Sequence, residues 1–270
     1  MNCLRSLSPA GLFLLFLTLF VCSCATSNTT ASRRTFRVMT YNIHHGEGRD
    51  GKVDLLRIAE LIKREGADIV ALQEVDKGVA RTQKRDLPGE LATLTGLTCV
   101  FSNNFHYQGG DYGNAVLTRF PIGTWTNIHY QMLRPGEQRG ILQLTLCLHG
   151  RKLAFLATHI DYRADDSERL LNVQQIATMV KQQTGMPTIL CGDFNDAPGS
   201  RTHSRTKEIL DDTWEMIGAG EGFTYSAEKP HKRIDYIWIS KDKSVQPLKI
   251  WVPQSEASDH LPVVAEFELR

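Results

Sequence analysis

Along this chain the spacing of apolar positions switches repeatedly between two periods. Thr35 to Ile43 (TFRVMTYNI) alternates and predicts a strand. Over Val53 to Arg64 the apolar residues Leu55, Ile58, Leu61 and Ile62 recur on one helical face, and Gly66 supplies a stop. Asp68 to Val75 is again an apolar strand. This is strand–helix–strand, the βαβ pattern of an α/β domain. Pro88 to Gly96 predicts a short helix and Leu97 to Phe101 a strand. Phe105 to Gly113, with Gly109 and Gly110, reads as a loop. Strands follow at Asn114–Phe120, Thr124–Met132, Ile141–Leu148 and Lys152–Ile160, with connections short enough for antiparallel neighbours. Ser167 to Gln183 is the longest predicted helix, with Leu170, Leu171, Ile176, Met179 and Val180 expected inward and Gly185 closing it. Pro187 to Asp193 predicts a strand ending in the turn-rich FNDAP, residues 199–230 read as mostly irregular, and Ile234–Ser240, Val245–Val252 and Pro262–Leu269 predict the last strands. About ten strands against two long helices is too few helices for a plain doubly wound sheet, and fits two packed sheets with helices outside.

The N-terminus follows another pattern. Arg5 is the sole charge before residue 33, Leu12 to Cys22 is almost wholly apolar, and Ser23-Cys24-Ala25 is small. A short apolar region behind a weakly basic start reads as a secretory signal over residues 1–24, shorter than the ~20 apolar residues of a comfortable membrane span. Val21-Cys22-Ser23-Cys24 resembles a bacterial lipobox with Cys24 as the lipidated residue. Residues 25–33 are polar and suit a flexible tether. The expectation is an exported protein, secreted or held at the cell envelope through Cys24, with one domain over residues 34–270.

Charge and cysteine content narrow the function. The 31 basic and 30 acidic residues become 30 and 30 once Arg5 leaves with the signal, which lowers the prior for tight nonspecific DNA binding. Cys99, Cys147 and Cys191 are odd in number, lack metal spacing and sit in apolar runs, so all three are expected to be small core residues.

The chemistry gathers at strand ends. Apolar strand cores finish in Asn42, in Gln73 and Glu74, in Thr158 and His159, in Asp193 and Asn195, at Asp235, and beside Asp259 and His260. Each alone has a bland explanation as a turn former, solvated charge or satisfied core histidine. Together, so many carboxylates near one another cost several kcal/mol per charge unless a cation or partner compensates. The oxygen donors Glu74, Asp259 and Asn42, with no Cys/His ligand set, point to a hard cation, Mg²⁺ with Mn²⁺ as substitute. Asp235 and His260 suggest a carboxylate–imidazole pair, which favours the cationic ring.

The ordered stretches MTYNIHHG (39–46), ALQEVD (71–76), YGNAVLTRFPI (112–122), THID (158–161), GDFND (192–196), RIDYIWIS (233–240) and SDHLPVV (258–264) resemble the motif set of the endonuclease/exonuclease/phosphatase superfamily, and in particular its bacterial exported and lipoprotein members. Members of that superfamily include abasic-site and DNase I-like nucleases, sphingomyelinases, inositol phosphatases and deadenylases. The resemblance implies a four-layer α/β sandwich, two mixed sheets between helical layers. It implies Glu74 as principal Mg²⁺ ligand with Asn42 and Asp259 nearby, and Asp193 orienting or deprotonating the attacking water. Asn195 and His159 would hold phosphate oxygens, and His260 on Asp235 would contact the scissile phosphate or activate water. The abasic-site nucleases carry a carboxylate two residues after the first asparagine; here that place is His44, so the resemblance implies no second metal site there.

Arg81 and Arg85 are positioned to clamp phosphate or to be surface charge. His44, His45 and Asp50 form a further polar cluster, and Tyr112 and Asn114 are expected to face substrate. The expected activity is a metal-dependent phosphodiesterase, monomeric, acting on a lipid headgroup, inositol phosphate or nucleic acid. A noncatalytic surface binding protein on the same fold is the rival; it predicts loss of a chemical residue, and none of the set is missing.

Overall fold

The computed structural model describes residues 35–270. The expected signal, the Cys24 lipidation site and the tether lie outside the described residues. Among the described residues no helix is long and apolar enough to cross a membrane.

Twelve strands form two six-stranded sheets. The first contains β1 (Thr35–Asn42), β2 (Ile69–Lys77), β3 (Thr98–Tyr107), β4 (Gly110–Thr118), β11 (Val245–Trp251) and β12 (Val263–Leu269), in the order β11-β12-β1-β2-β4-β3. The second contains β5 (Ile122–His129), β6 (Gly140–Leu148), β7 (Arg151–His159), β8 (Thr188–Asp193), β9 (Leu210–Asp212) and β10 (Asp235–Ser240), in the order β5-β6-β7-β8-β10-β9. Each sheet holds one parallel pair, β1/β2 and β7/β8, among antiparallel neighbours. A parallel pair needs a long crossover, and helices α1 (Leu55–Glu65) and α3 (Ser167–Gln182) supply the two.

The central strands are buried on both faces, so Ile69, Val70, Ala71 and Leu72 of β2 are all solvent-free in succession. Alternate residues serve different layers. Phe36, Val38, Ile69 and Ala71 meet Leu142, Leu144, Phe155 and Ile189 between the sheets. Met39, Tyr41, Val70 and Leu72 pack outward with Ile58, Leu61 and Ile62 of α1, while Leu156, Leu190 and Trp238 pack with Ile176 and Met179 of α3. Each fully buried Leu, Ile or Phe contributes about 1.5–3 kcal/mol. The result is the expected α/β/β/α sandwich.

Local chemistry explains the helix ends. Asp54 caps α1 by accepting from the Leu56 N–H, and Gly66 leaves it at φ 64°. Asp86 caps α2 (Leu87–Thr95) in the same way through Gly89.

Four expectations are corrected. The loop read over 105–113 is a tight hairpin joining β3 to β4, turning on Gln108 and Gly109, both at positive φ as a two-residue turn requires. Gly113 there serves strand contact, since a Cβ would stand 1.9 Å from the Ser102 carbonyl oxygen. The region 199–230 contains α4 (Arg201–Lys207), β9 and α5 (Thr213–Ile217), set by the caps Ser200 and Asp212 rather than by apolar periodicity. The inward face of α3 is Glu168, Arg169, Asn172, Val173, Ile176 and Met179, leaving Leu170, Leu171 and Val180 half-buried. Polar anchoring rotates it: Glu168 accepts from the Leu133 N–H, Asn172 from the Asp161 N–H, and Arg169 donates to the Arg163 carbonyl. Finally, Cys191 is buried but Cys99 is half-buried and Cys147 exposed, because Leu144, Leu146 and Leu148 take the core face of β6.

Candidate active site

The polar strand ends converge. β1 and β2 run parallel with Asn42 opposite Gln73; β7 and β8 run parallel with His159 opposite Asp193; β10 runs antiparallel to β8 with Asp235 opposite Asp193. One edge of both sheets therefore carries the acidic and imidazole groups, and the segment before β12 brings in Asp259 and His260. They border a cleft of about 620 Å³ whose wall includes Glu74, Arg81, Tyr112, His159, Asp193, Asn195, Asp259 and His260.

Backbone exceptions aim these groups. Pairing of β2 with β4 shifts between Leu72 and Val75, and Glu74 sits in that irregularity at φ 58°. Gly192 precedes Asp193 because a Cβ would stand 2.0 Å from the Thr158 carbonyl oxygen. Asn195 takes φ 49°, and its N–H donates to Asp193 Oδ1 at 2.8 Å.

Asn42 is the central spacer. Its Nδ2 donates to Glu74 Oε1 (2.9 Å) and to Asp193 Oδ2 (3.0 Å), and its Oδ1 accepts from the His44 N–H. The amide thus couples two carboxylates from different sheets. Ser258 ties the third segment in, donating to the Asn42 carbonyl at 2.8 Å.

Asp193 is buried, and burial together with the charge of Asp235 pushes its carboxyl up to about 7. For His260 burial opposes the charged ring, but Asp235 outweighs it; Nδ1 lies 2.9 Å from Asp235 Oδ2 and the ring is pushed up to about 10. Its Nε2 faces Asp193 Oδ2 at 3.8 Å. Asp235 Oδ1 is buried without a partner.

His159 is the opposite case. Burial, Arg139 and His260 hold it well below its ordinary value, so the ring is neutral. Both ring nitrogens face donors, Nδ1 the Arg139 Nη1 at 2.9 Å and Nε2 the Asn195 Nδ2, which also donates to the Ile160 carbonyl. Nε2 lies 3.0 Å from that Asn195 nitrogen and 3.5 Å from Asp193 Oδ2.

Of the remaining expected residues, Arg81 and Tyr112 line the cleft. Arg81 forks Asp76 through Nε and Nη2 (2.8 and 2.9 Å) and lies over the rings of Tyr107 and Tyr112. Arg85 instead pairs with Glu90 at 2.6 Å. Asn114 is buried and donates to the Gly140 carbonyl, joining the two sheets rather than facing the cleft. Asp50 pairs with Arg57, and His44 and His45 stand beside Glu74.

Sequence reasoning missed Arg139, Glu137, Tyr162, Lys232 and the aromatic wall of Phe105 and Tyr107, all of which line the cleft. Arg139 is buried and also pairs with Glu137 at 2.7 Å. The available signal was an arginine immediately before a strand that lies beside the THID strand.

The donor chemistry fits a divalent cation: half-buried Glu74 and Asp259 offer carboxylate oxygens on the cleft wall, and Asp193 adds a third.

A model of the Endonuclease/Exonuclease/phosphatase family matches residues 39–260. The Escherichia coli K12 protein YbhP is 27% identical over 251 residues, covering 87% of this chain and 97% of YbhP. The 5'-tyrosyl-DNA phosphodiesterase of Caenorhabditis elegans is 24% identical over 189 residues, covering 67% and 48%. Among solved structures, an endonuclease/exonuclease/phosphatase from Beutenbergia cavernae superposes with a TM-score of 0.74 at 24% identity, covering 88% of this chain and 72% of that one. With its fold, ordered motifs and convergent site, the chain belongs to the endonuclease/exonuclease/phosphatase family of phosphate-ester hydrolases.

Proposed function

We propose that the protein is a Mg²⁺-dependent phosphodiesterase, with Mn²⁺ as a substitute, acting by in-line water attack. The observation that carries this is the convergence of Glu74, Asp193, Asp259 and the Asp235–His260 pair on one cleft. A noncatalytic binding protein would have no use for this full set, least of all for a buried carboxylate held near neutral titration.

Glu74 and Asp259 would hold the cation, which would neutralise a phosphate oxygen and the leaving oxygen. Asp193, pushed up to about 7, is matched to accept a proton from water near neutral pH. The water oxygen then bonds to phosphorus, the ester oxygen leaves, and solvent reprotonates it. His260, kept charged by Asp235, faces the charge that builds on the phosphate oxygens, with His159 and the Asn195 amide beside it. Arg81, pre-set by Asp76 and two tyrosine rings, suits a further anionic group of the substrate. The name of the tyrosyl-DNA relative, a phosphodiesterase, favours a diester.

The test is hydrolysis of bis(p-nitrophenyl) phosphate. EDTA should abolish turnover, and Mg²⁺ or Mn²⁺ should restore it. Glu74→Ala should lose about 10²-fold or more. Turnover insensitive to EDTA, or undiminished in folded Glu74→Ala, rejects the proposal.

We further propose export and membrane tethering through Cys24, supported by the apolar run and the small residues around it. Cys24→Ala should move the protein from the membrane fraction to the soluble one; an unchanged distribution rejects the tether.

A further inference from the structure

Beside the carboxylate assigned to the hard cation lies a donor set that the proposed mechanism leaves unused. Ligand atoms of His44, His45 and Glu74 lie within 4.8 Å of one another. The two rings are 4.4 Å apart, centroid to centroid. His45 is only 7% exposed, and its Nδ1 is buried with no hydrogen-bond partner. Its other nitrogen, Nε2, stands 3.5 Å from Glu47 Oε2. An imidazole with one nitrogen unpartnered and the other turned to a carboxylate is disposed as metal-binding histidines are: the outer carboxylate fixes the tautomer and leaves the inner lone pair for the ion.

The surrounding charge permits a cation. Arg81 is the nearby positive group, and Asp76 takes it in a two-bond fork. Glu74 Oε1 accepts from Asn42, which leaves Oε2 as the free oxygen. All three donor residues hold left-handed backbone, His44 and His45 at φ 44° and Glu74 at φ 58°. Such outliers in non-glycine residues gather at ligand clamps.

Two imidazoles and one carboxylate do not select the ion that carboxylates alone select. Oxygen donors suit Mg²⁺, whereas imidazole suits borderline ions such as Co²⁺ and Zn²⁺. A three-donor set of this kind leaves coordination positions open. At metal–donor distances of about 2.1 Å, neighbouring donors stand ~3 Å apart, so the cluster must tighten by roughly 1–2 Å on binding. His44, half-buried, is the less enclosed of the two histidines.

We propose that His44, His45 and Glu74 form a second divalent-cation site, selective for a Co²⁺- or Zn²⁺-class ion and sharing Glu74 with the hard-cation site. The inference rests on the proposed function only for that shared carboxylate.

The experiment is Co²⁺ titration of the metal-stripped protein in excess Mg²⁺. Visible Co²⁺ absorption reports nitrogen coordination, and metal analysis after equilibrium dialysis reports stoichiometry. About one Co²⁺ per chain should remain bound against Mg²⁺. His44→Ala and His45→Gln should each weaken Co²⁺ binding by about ten-fold or more. Half-buried His44 provides a variant that spares the core, and circular dichroism checks the His45 variant. Asp259→Asn should weaken Mg²⁺ binding and leave Co²⁺ binding intact. Equal Co²⁺ affinity in wild type and both histidine variants overturns the second site, as does displacement of all Co²⁺ by Mg²⁺. Unchanged Mg²⁺ binding in Asp259→Asn counts against the hard-cation site alone, so the two failures are distinguishable.

Discussion

Among the described residues two hydrogen-bonded histidine–aspartate pairs are buried in the second half of the molecule, and only one of them opens on a cleft. In the first, His260 Nδ1 lies 2.9 Å from Asp235 Oδ2; in the other, His203 Nε2 lies 3.0 Å from Asp212 Oδ2. The contacts match, but the surroundings do not. Asp212 also accepts from Arg233 Nη1 at 2.7 Å and from the Trp214 N–H at 2.8 Å, and the His203 ring packs 5.3 Å from that of Trp238. Its charge is balanced and both its oxygens are bonded. Asp235 by contrast faces Asp193 across the β8–β10 ladder, and its Oδ1 has no partner. A histidine–aspartate pair is structural where the protein completes its bonding, and chemical where bonding capacity is left open toward a cavity.

The same substitution made once in each cluster, at Asp193 beside His260 and at Asp212 beside His203, breaks or sharpens this comparison. Asp193→Asn should lower phosphodiester turnover by about 10²–10⁴-fold, the range of a lost general base, with thermal stability equal or higher because a buried like charge is gone. Asp212→Asn should do the reverse. Removing the carboxylate from a buried pair costs about 3–5 kcal/mol, visible in denaturant unfolding, while turnover per folded molecule stays at the wild-type level. If Asp212→Asn silences a fully folded enzyme, the two clusters are not distinct in kind.

How far this division was readable from the sequence follows from what each cluster depends on. Glu74, Asp193 and His260 announced themselves because a polar residue inside or flanking an apolar run needs a reason, and several such residues share one. Arg139 did not. It sits in a polar run, and its part depends on Gly140 lying opposite His159 in the β6–β7 ladder, a tertiary fact. The His203–Asp212–Arg233 cluster joins α4, the cap of α5 and the segment before β10, none with an apolar period, so nothing local separates it from a loop. The β3–β4 hairpin was hidden because Gly109, Gly110 and Gly113 look like loop composition. Gly110 and Gly113 are needed for close backbone contact, which only the paired strand reveals.

The smallest expected effect is also the one that separates the two aspartates by sign. For Asp212 burial opposes the charge, but His203 and Arg233 hold the carboxyl below its ordinary 3.8. Its stabilisation is complete above that value and lost as pH falls through the lower folded one. The wild type should therefore exceed Asp212→Asn by a constant margin near neutrality, and the gap should close below pH 3.8. Asp193 is shifted the other way, from 3.8 to about 7, so its folded form holds a proton that the unfolded chain has released. Stability is then lost as pH rises across that window. Measured in EDTA, the wild type should match Asp193→Asn near pH 4 and fall below it by pH 8. Unfolding curves for the three proteins across pH 3–8 decide the matter. Opposite slopes follow if the fold balances the charge of one carboxylate and buries the other beside a like charge; slopes of the same sign place both aspartates in one class.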